Sequence, residues 1–286
     1  MVSVAAPGDS NQTKGPRRHQ RRRWLLGTAA VVLVAIGVFA FFWFTTGAHE
    51  VSLSTADQRF RHDKGALAGF SKPGRPAEGV YEYKGSGSEA LSLPPKTQHE
   101  GPLIPGTVTY GANGCWMLRM DYSDNHWQST TYCPRGTQLL ETARGGWYQW
   151  NFVATTVADT ASYTCKPAEV AVPGALARNR RYRFSCTGTN HPLKLPPVTL
   201  AGSVKYVGDG SVLVDGKKVL AVRILEVARF TGGQKGQDVE NTWYDSADGL
   251  PLQGTWSTDV RTPTAIGNST LTASGRFQLD SLVPHG

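Results

Sequence analysis

Apolar and polar residues alternate in short runs between residues 80 and 284, and this pattern predicts β-strands. In WYQWNFVA, residues 147–154, the apolar side chains of Tyr148, Trp150 and Phe152 share one face, and Gln149 lies on the other. Period-two alternation is typical of a strand with one buried face. Similar runs occur at residues 81–83, 107–110 and 181–186.

Four turn dipeptides lie among these runs and favour antiparallel hairpins. Asn-Gly and Asp-Gly suit tight turns because their residues tolerate positive φ angles. They occur at Asn113-Gly114, Asp209-Gly210, Asp215-Gly216 and Asp248-Gly249. No convincing amphipathic helix accompanies them, so the pattern predicts a mainly β, antiparallel domain that begins near Val80.

The longest strand signal, residues 217–245, predicts a hairpin whose two runs flank the turn TGGQKG. Apolar residues occupy both faces of the first run, with Leu220 and Ile224 on one and Val219 and Val227 on the other. A strand that is apolar on both faces is normally covered on both. We therefore expect a strongly curved sheet, half-barrel or barrel-like, wrapped around a helix or a ligand cavity.

Residues 24–44 form the longest apolar segment and predict a transmembrane helix. These 21 residues carry no charge, and a helix of that length spans about 31 Å, close to the thickness of the hydrocarbon core of a bilayer. Trp24 and Trp43 lie where an aromatic belt contacts the two interfaces. Small residues at Thr46 and Ala48 leave cleavage as a signal peptide open.

The basic run RRHQRRR, residues 17–23, predicts the orientation, because positively charged flanks stay in the cytoplasm. Residues 1–23 hold six Lys or Arg and one Asp, a net charge of +5 out of the chain's +8. Most of the basic character thus belongs to a topology signal, and we predict no nucleic-acid partner. The predicted organisation is a disordered cytoplasmic tail at 1–23, a single-pass membrane helix at 24–44, a juxtamembrane helix or linker at 45–79 and an extracytoplasmic β domain at 80–286.

The four cysteines follow the predicted membrane helix, and their placement predicts disulfides in an oxidising compartment. A hairpin with a three-residue loop at 123–125 pairs Tyr122 with His126. The same register places Cys115 opposite Cys133, within the reach of a disulfide.

Cys165 and Cys186 remain for a second disulfide, around a loop that contains Pro and Arg residues. Four cysteines allow three connectivities, of which we favour the sequential one. The paired C-x2-C spacing of a zinc site is absent.

No motif in the sequence identifies an enzyme, a cofactor or a metal. The G-x-S-x-G motif of hydrolases is not satisfied at GSGSE, residues 85–89, and no nucleotide-binding loop occurs. The histidines have no metal-ligand spacing, so we interpret them as isolated surface residues; they lie at positions 19, 49, 62, 99, 126, 191 and 285. We predict no catalytic residue, no cofactor and no metal ligand.

Asp245 and Asp248 lie in NTWYDSADGLPLQG, residues 241–254, and raise the question of a metal site. Their spacing does not match the calcium-loop pattern. Pro251 suits the first, unpaired position of a strand. We interpret the stretch as a corner between two strands, with a metal site as the alternative.

Two resemblances accompany these motifs. TWYDSADGLP, residues 242–251, is similar to the W-x-D-x-x-x-G-L-P hairpin of curved half-barrel sheets in the bacterial lipoprotein-carrier and mycobacterial lipoprotein families. EGVYEYKGSGSEALS at 78–92, the cysteine hairpin and FQLDSLVP at 277–284 resemble uncharacterised membrane-anchored envelope proteins of high-GC Gram-positive bacteria. The first resemblance implies an apolar cavity for lipid or acyl chains, although the lipidated cysteine of those families is absent here.

We favour a non-enzymatic, membrane-anchored domain that binds a lipid or another apolar envelope ligand. The aromatic residues of one strand are its candidate ligand or partner surface: Trp147, Tyr148, Trp150 and Phe152. An interaction subunit of a cell-envelope complex is the alternative, and a hydrolase assembled from distant residues is a remote one. A continuous interior cavity would favour ligand binding, whereas a cleft with a histidine and a carboxylate in hydrogen-bonding reach would revive the hydrolase.

Overall fold

The structure, a computed structural model, describes residues 48–64, 74–152, 155–174, 180–191, 195–264 and 267–285. The predicted cytoplasmic tail and membrane helix, residues 1–44, lie outside this part of the chain. Within it, no helix is both long and apolar enough to cross a membrane. The structure therefore bears on the predicted β domain and on the juxtamembrane helix.

The described residues contain one α-helix and thirteen strands, besides a short 3-10 turn at Ala112–Gly114. Helix α1 spans Leu53–Lys64. The strands are β1 (Gly79–Ser92), β2 (Pro95–Glu100), β3 (Leu103–Tyr110), β4 (Trp116–Ser123), β5 (His126–Arg135), β6 (Gln138–Asn151), β7 (Thr156–Val172), β8 (Arg181–His191), β9 (Val198–Val214), β10 (Lys217–Gly232), β11 (Lys235–Asp245), β12 (Pro251–Thr264) and β13 (Gly267–Leu279).

The strands form a sheet that closes on itself. From β3 to β13 each strand pairs with the next in antiparallel fashion, and β1 pairs with both β3 and β13. These twelve strands make a closed barrel, while β2 pairs only with the second half of β1, where Gly87 lies opposite Glu100. The prediction of a mainly β, antiparallel, strongly curved sheet is confirmed, and the sheet closes into a full barrel.

Strand β10 corrects the argument from its apolar pattern. Val222 and Ile224 are buried, but Leu220 is 72% exposed and Val227 is 47% exposed. The predicted cover on both faces of this strand is therefore wrong. Strand β10 pairs with β11 without a register shift, and the extra residue in its pairing with β9, Val207, lies on β9. Apolar side chains of β10 that the barrel interior does not take up are exposed to solvent.

Three of the four predicted turn dipeptides lie in turns, and one does not. The Asp215-Gly216 turn joins β9 to β10 with φ angles of 48° and 70°, as a two-residue hairpin requires. Asp209-Gly210 instead lies inside β9. A Cβ atom at Gly210 would stand 2.8 Å from the ring of Trp243 on β11. This glycine therefore makes room for that indole.

Helix α1 packs against the barrel. Ala56 and Phe60 are buried with Val80 of β1 in a small apolar cluster, and Arg59 Nη2 lies 3.1 Å from Asp121 Oδ2 of β4. The folded domain therefore begins before Val80, earlier than the apolar pattern indicates. The helix lies within residues 45–79, for which a helix or linker is predicted, and its place beside a membrane stays a prediction.

Both predicted disulfides are present, with the sequential connectivity. Cys165 on β7 lies directly opposite Cys186 on β8. The other bond, between Cys115 and Cys133, closes the hairpin of β4 and β5. Cross-links of this loop size stabilise a fold by about 3 kcal/mol each in the chain-entropy account.

The loop of the β4–β5 hairpin differs from the prediction. Ser123 pairs with His126, so the turn contains two residues, Asp124 and Asn125, instead of three. A register shift between Asp121 and Ser123 adds one residue to β4 and restores the predicted register further along the hairpin. The cysteine pairing was therefore correct although the loop was wrong.

Candidate functional site

The barrel encloses a cavity of about 530 Å³ with a mostly apolar wall. This volume lies in the range of small-molecule pockets. Aromatic rings from strands around the barrel line it: Tyr122, Tyr132, Tyr148, Trp150, Phe152, Tyr163, Phe230, Tyr244, Trp256 and Phe277. Of the two interiors expected for the curved sheet, a helix or a cavity, the structure has the cavity.

Strand β6 divides the predicted ligand or partner surface between two faces. Tyr148 and Trp150, together with Phe152 just after the strand, line the cavity. Trp147 lies on the alternate face, along a smaller outer hollow shared with Trp127 of β5 and Arg59 of α1. The structure thus brings three of the four predicted residues together inside the barrel.

One wall of the cavity carries a dense group of buried charges, the Arg144 cluster, formed by Arg144 with Glu141, Glu169, Glu226 and Glu240. Arg144 Nη2 donates to Glu169 Oε2 at 2.7 Å and to Glu226 Oε2 at 2.6 Å. Its Nε donates to Glu141, and Nη1 lies 3.6 Å from Glu240 Oε1. One guanidinium therefore holds carboxylates from four strands, β6, β7, β10 and β11.

The carboxyl groups outnumber the cation, and burial shifts their proton affinities. Burial raises the pKa of Glu226 to about 7, against the attraction of Arg144. Burial likewise raises the pKa values of Glu141 and Glu169. Desolvation favours the neutral form of an acid unless enough positive charge is near. The cluster therefore carries bound protons close to neutral pH.

The acidic character reaches the cavity surface. Glu141, Arg144, Asp238 and Glu240 all line the cavity, and the side chain of Glu240 is 34% exposed. Asp238 accepts a 2.5 Å hydrogen bond from Thr258 Oγ1, and burial raises its pKa well above the ordinary value. Part of the cavity wall is therefore polar and acidic.

A second group of buried polar side chains, the Glu89–Glu100–His126 cluster, joins β1, β2 and β5. His126 Nδ1 lies 2.9 Å from Glu89 Oε1 and 2.5 Å from Glu100 Oε1. The three residues are only 1%, 4% and 1% exposed for Glu89, Glu100 and His126. The interpretation of the histidines as isolated surface residues is wrong for His126.

Aromatic and polar neighbours fix this cluster in place. The imidazole of His126 stacks between Tyr122 and Tyr148, with ring centroids 4.8 Å and 4.1 Å away. Gln98 Nε2 donates to Glu89 Oε2 at 2.8 Å. Both tyrosines also line the cavity, so they separate the cluster from its space.

Proton affinities in this cluster are set by competing effects. Burial lowers the pKa of His126, but the two carboxylates outweigh it and raise that pKa to about 9. Burial raises the pKa of Glu100. For Glu89 the charge and hydrogen bond of His126 outweigh burial, so its pKa is lowered. The histidine and carboxylates are within hydrogen-bonding reach, but they lie in a sealed core and not in a cleft where a substrate could meet them.

Sequence reasoning missed both clusters, because their members lie on different strands and share no local spacing. The one local signal is strand β2, PKTQHE, which buries the alternate polar residues Lys96, Gln98 and Glu100. Buried charged residues are rare unless they are paired or functional. In the sequence alone, this strand reads as polar on both faces.

Asp245 and Asp248 turn the corner between β11 and β12. Asp245 Oδ1 accepts a 2.7 Å hydrogen bond from the Ala247 amide, and Asp248 Oδ1 accepts a 2.9 Å bond from the Leu250 amide. These side-chain bonds to the backbone two residues on are typical of Asx turns. Burial raises the pKa of Asp248 to about 6. The corner interpretation is confirmed, with β12 beginning at Pro251.

Comparison with known proteins adds little to this description. No protein-family model matches the chain, and no curated protein matches it. Among solved structures, the hypothetical lipoprotein YmcC from Escherichia coli K12 shares 14% identity over 81% of this chain and 99% of its own, with a TM-score of 0.29. A TM-score this low carries no argument about fold or function. The closed barrel therefore rests on its own strand pairing, and an origin in high-GC Gram-positive bacteria stays a prediction.

Proposed function

We propose that this chain is a non-enzymatic binding protein of the cell envelope that holds an amphipathic ligand inside its barrel. The observation that carries the proposal is the ring-lined cavity of about 530 Å³. Concave, mostly apolar pockets with a few polar groups are typical ligand sites. Attachment to the cell membrane, with the barrel outside, rests on the predicted helix at 24–44 and on the two disulfides.

The charges in the cavity indicate which amphiphile fits. Arg144 is already engaged by four glutamates, so an anionic head group would meet excess carboxylate instead of a free cation. A cationic or neutral hydrogen-bond-donating head group would be attracted to Glu240 at the cavity wall, where Asp238 offers a further polar partner. We therefore assign an apolar chain with a cationic or neutral polar end as the ligand class.

The interaction-subunit alternative draws on Trp147 and Trp127, which lie along the outer hollow. It does not account for the aromatic interior. A protein that acts only through its outer surface would normally fill its barrel with side chains, because empty interior volume lowers stability.

The first experiment examines what the full chain carries when it is purified from its own membrane in a bulky uncharged detergent. Native mass spectrometry followed by organic extraction should reveal an amphiphile bound at one per chain. The variant Trp150→Ala should lower the bound fraction about tenfold, because it removes a ring from the cavity wall. Trp147→Ala, three residues away on the outer face, is the matched control and should retain the ligand.

Head-group preference is measured by displacement of an environment-sensitive fluorescent probe from the full chain. A long-chain amine should displace the probe at concentrations about tenfold lower than a carboxylate of equal chain length, since a difference of ~1.4 kcal/mol corresponds to a factor of ten. Equal losses in Trp147→Ala and Trp150→Ala, or a ligand-free mass together with no displacement by either amphiphile, would contradict ligand binding and leave the interaction subunit as the better account.

A further inference from the structure

We propose that Glu89, Glu100 and His126 bind one divalent transition-metal ion, with zinc the first to test. One possible ligand atom from each of the three residues lies within 4.8 Å of the other two. Zinc takes imidazole nitrogen and carboxylate oxygen at about 2.0–2.2 Å, so small shifts of these side chains would accommodate it. This site is separate from the cavity, and the inference does not depend on the proposed ligand.

Charge balance is the first argument for a metal. The ion pairs of Glu89 and Glu100 in the described structure both go to His126. One imidazolium offers a single positive charge to two buried carboxylates, and an unbalanced buried charge is costly. A divalent ion with a neutral imidazole balances both carboxylates.

An unsatisfied atom at the site is the second argument. Glu100 Oε2 is buried, and it has no hydrogen-bond partner among the described residues. Buried polar atoms are normally satisfied, and exceptions call for an explanation such as an ion. A carboxylate that binds a metal through both oxygens would satisfy Glu100 Oε2.

The surroundings already have the form of a second shell. The 2.8 Å hydrogen bond from Gln98 occupies Glu89 Oε2 and leaves Oε1 directed to His126. Tyr122 and Tyr148 hold the imidazole plane between them. Partners that orient the ligands are characteristic of metal sites and contribute to metal affinity.

A glycine provides the space that the cluster needs. Gly87 lies opposite Glu100 in the pairing of β1 with β2, and a Cβ atom at this position would collide with Glu100 Oε2. Its φ angle is not in the left-handed region, so conformational freedom does not explain this glycine. The glycine is explained by the space that the Glu100 carboxylate occupies.

The donor set selects among cations. All four cysteines of the chain are in disulfides, so no thiolate competes for zinc. An imidazole nitrogen suits zinc and its first-row neighbours better than calcium or magnesium, which prefer oxygen ligands. The Arg144 cluster, although richer in carboxylates, has a guanidinium at its centre where a metal would have to lie.

The test uses the full chain without a histidine tag, stripped with a chelator and then titrated with zinc, calcium or magnesium. Native mass spectrometry and elemental analysis should find one zinc per chain and no stoichiometric calcium or magnesium. Zinc should also raise the melting temperature, because an ion that binds only the folded state stabilises it.

Variants locate the ion. Glu100→Gln should weaken zinc binding by roughly 100-fold or more, and Gln98→Leu by about 10- to 100-fold, the range of outer-shell substitutions. Glu226→Gln is the matched control, because it neutralises an equally buried glutamate in the Arg144 cluster, and it should bind zinc like the wild type. Equal binding by Glu100→Gln and Glu226→Gln would overturn the proposal.

A measurement on the wild type guards against a variant that fails to fold. X-ray absorption of the zinc-loaded chain should show only nitrogen and oxygen neighbours near 2.0 Å, with the scattering pattern of one imidazole. A wild-type chain that retains no zinc, or a spectrum without imidazole, would overturn the proposal. Neither result depends on whether the barrel holds an amphiphile.

Discussion

Two clusters of buried charge lie in one barrel, and they differ in how their carboxylates are balanced. The Arg144 cluster surrounds a permanent cation and opens to the cavity through Glu240, whose side chain is 34% exposed. The Glu89–Glu100–His126 cluster surrounds a titratable ring and is sealed behind Tyr122 and Tyr148.

The difference reflects the number of donors at each centre. A guanidinium has five N–H groups in a rigid fork and keeps its charge at any physiological pH, so one arginine can hold several carboxylates. An imidazole has at most two N–H groups, and here only Nδ1 faces the carboxylates. The first cluster is complete with protein groups alone, whereas the second calls for a further cation. Three experiments test this contrast.

Arg144→Met should have the largest effect, since it leaves four carboxyl groups in the interior without their cation. Removal of one partner from a buried charge network typically costs 3–5 kcal/mol, so the free energy of unfolding should fall by about 4 kcal/mol in denaturant titrations. Arg144→Lys, which keeps the charge but not the fork, should lose about half as much. A loss below about 1 kcal/mol for Arg144→Met would show that the glutamates do not need the guanidinium.

The pH dependence of stability should reveal Glu226. Its pKa is raised by burial to about 7 in the fold, and an unfolded glutamate titrates near 4.3. The folded state therefore binds more protons, so this contribution to stability is complete below about pH 4 and is lost as pH rises through about 7.

Wild-type stability should consequently fall by about 3–4 kcal/mol from this group between pH 4 and 8, because one pKa unit corresponds to about 1.4 kcal/mol. Glu226→Gln should flatten that part of the profile. Glu50→Gln, on the exposed segment before α1, should follow the wild type. Parallel profiles for all three proteins would show that Glu226 is ionised throughout.

Gly87→Ala probes the second cluster and should have the smallest effect. The added methyl group would collide with Glu100 Oε2, and such overpacking typically costs about 1–3 kcal/mol. Gly146→Ala on β6 is the matched control, because its new Cβ would meet nothing closer than 3.5 Å, and its stability should change by less than about 0.5 kcal/mol. Similar losses in both variants would mean that Gly87 matters for the strand and not for the cluster.

Local features of the barrel were predictable from sequence, because strands and hairpins leave local patterns. Alternation located β6, the TGGQKG turn located the β10–β11 hairpin, and the cysteine register held. The β4–β5 loop was wrong because a bulge shifts the register without any marked signal in composition. The expected cover on both faces of β10 was wrong because apolar residues such as Leu220 lie exposed to solvent. The membrane helix and its orientation stay predictions.

The interior was harder to predict, because it depends on contacts between strands that are distant in sequence. Closure pairs Leu91 with Leu271, and no local pattern encodes that contact. His126 meets Glu89 and Glu100 only after β1, β2 and β5 are assembled. Tyr148, Trp150 and Phe152 were recognisable as one face, and the cavity they border exists only in the closed sheet.

The pairing of β1 with β13 also sets the order of events during biogenesis. Strand β13 is the last to be translated. Until it forms, the edge of β1 that pairs with β13, along residues 83–91, has no partner strand. Contacts of such high sequence separation form slowly, and an unpaired strand edge invites aggregation. Closure of the barrel must therefore come last in folding, and the facing edges of β1 and β12 stay unpaired until β13 joins them.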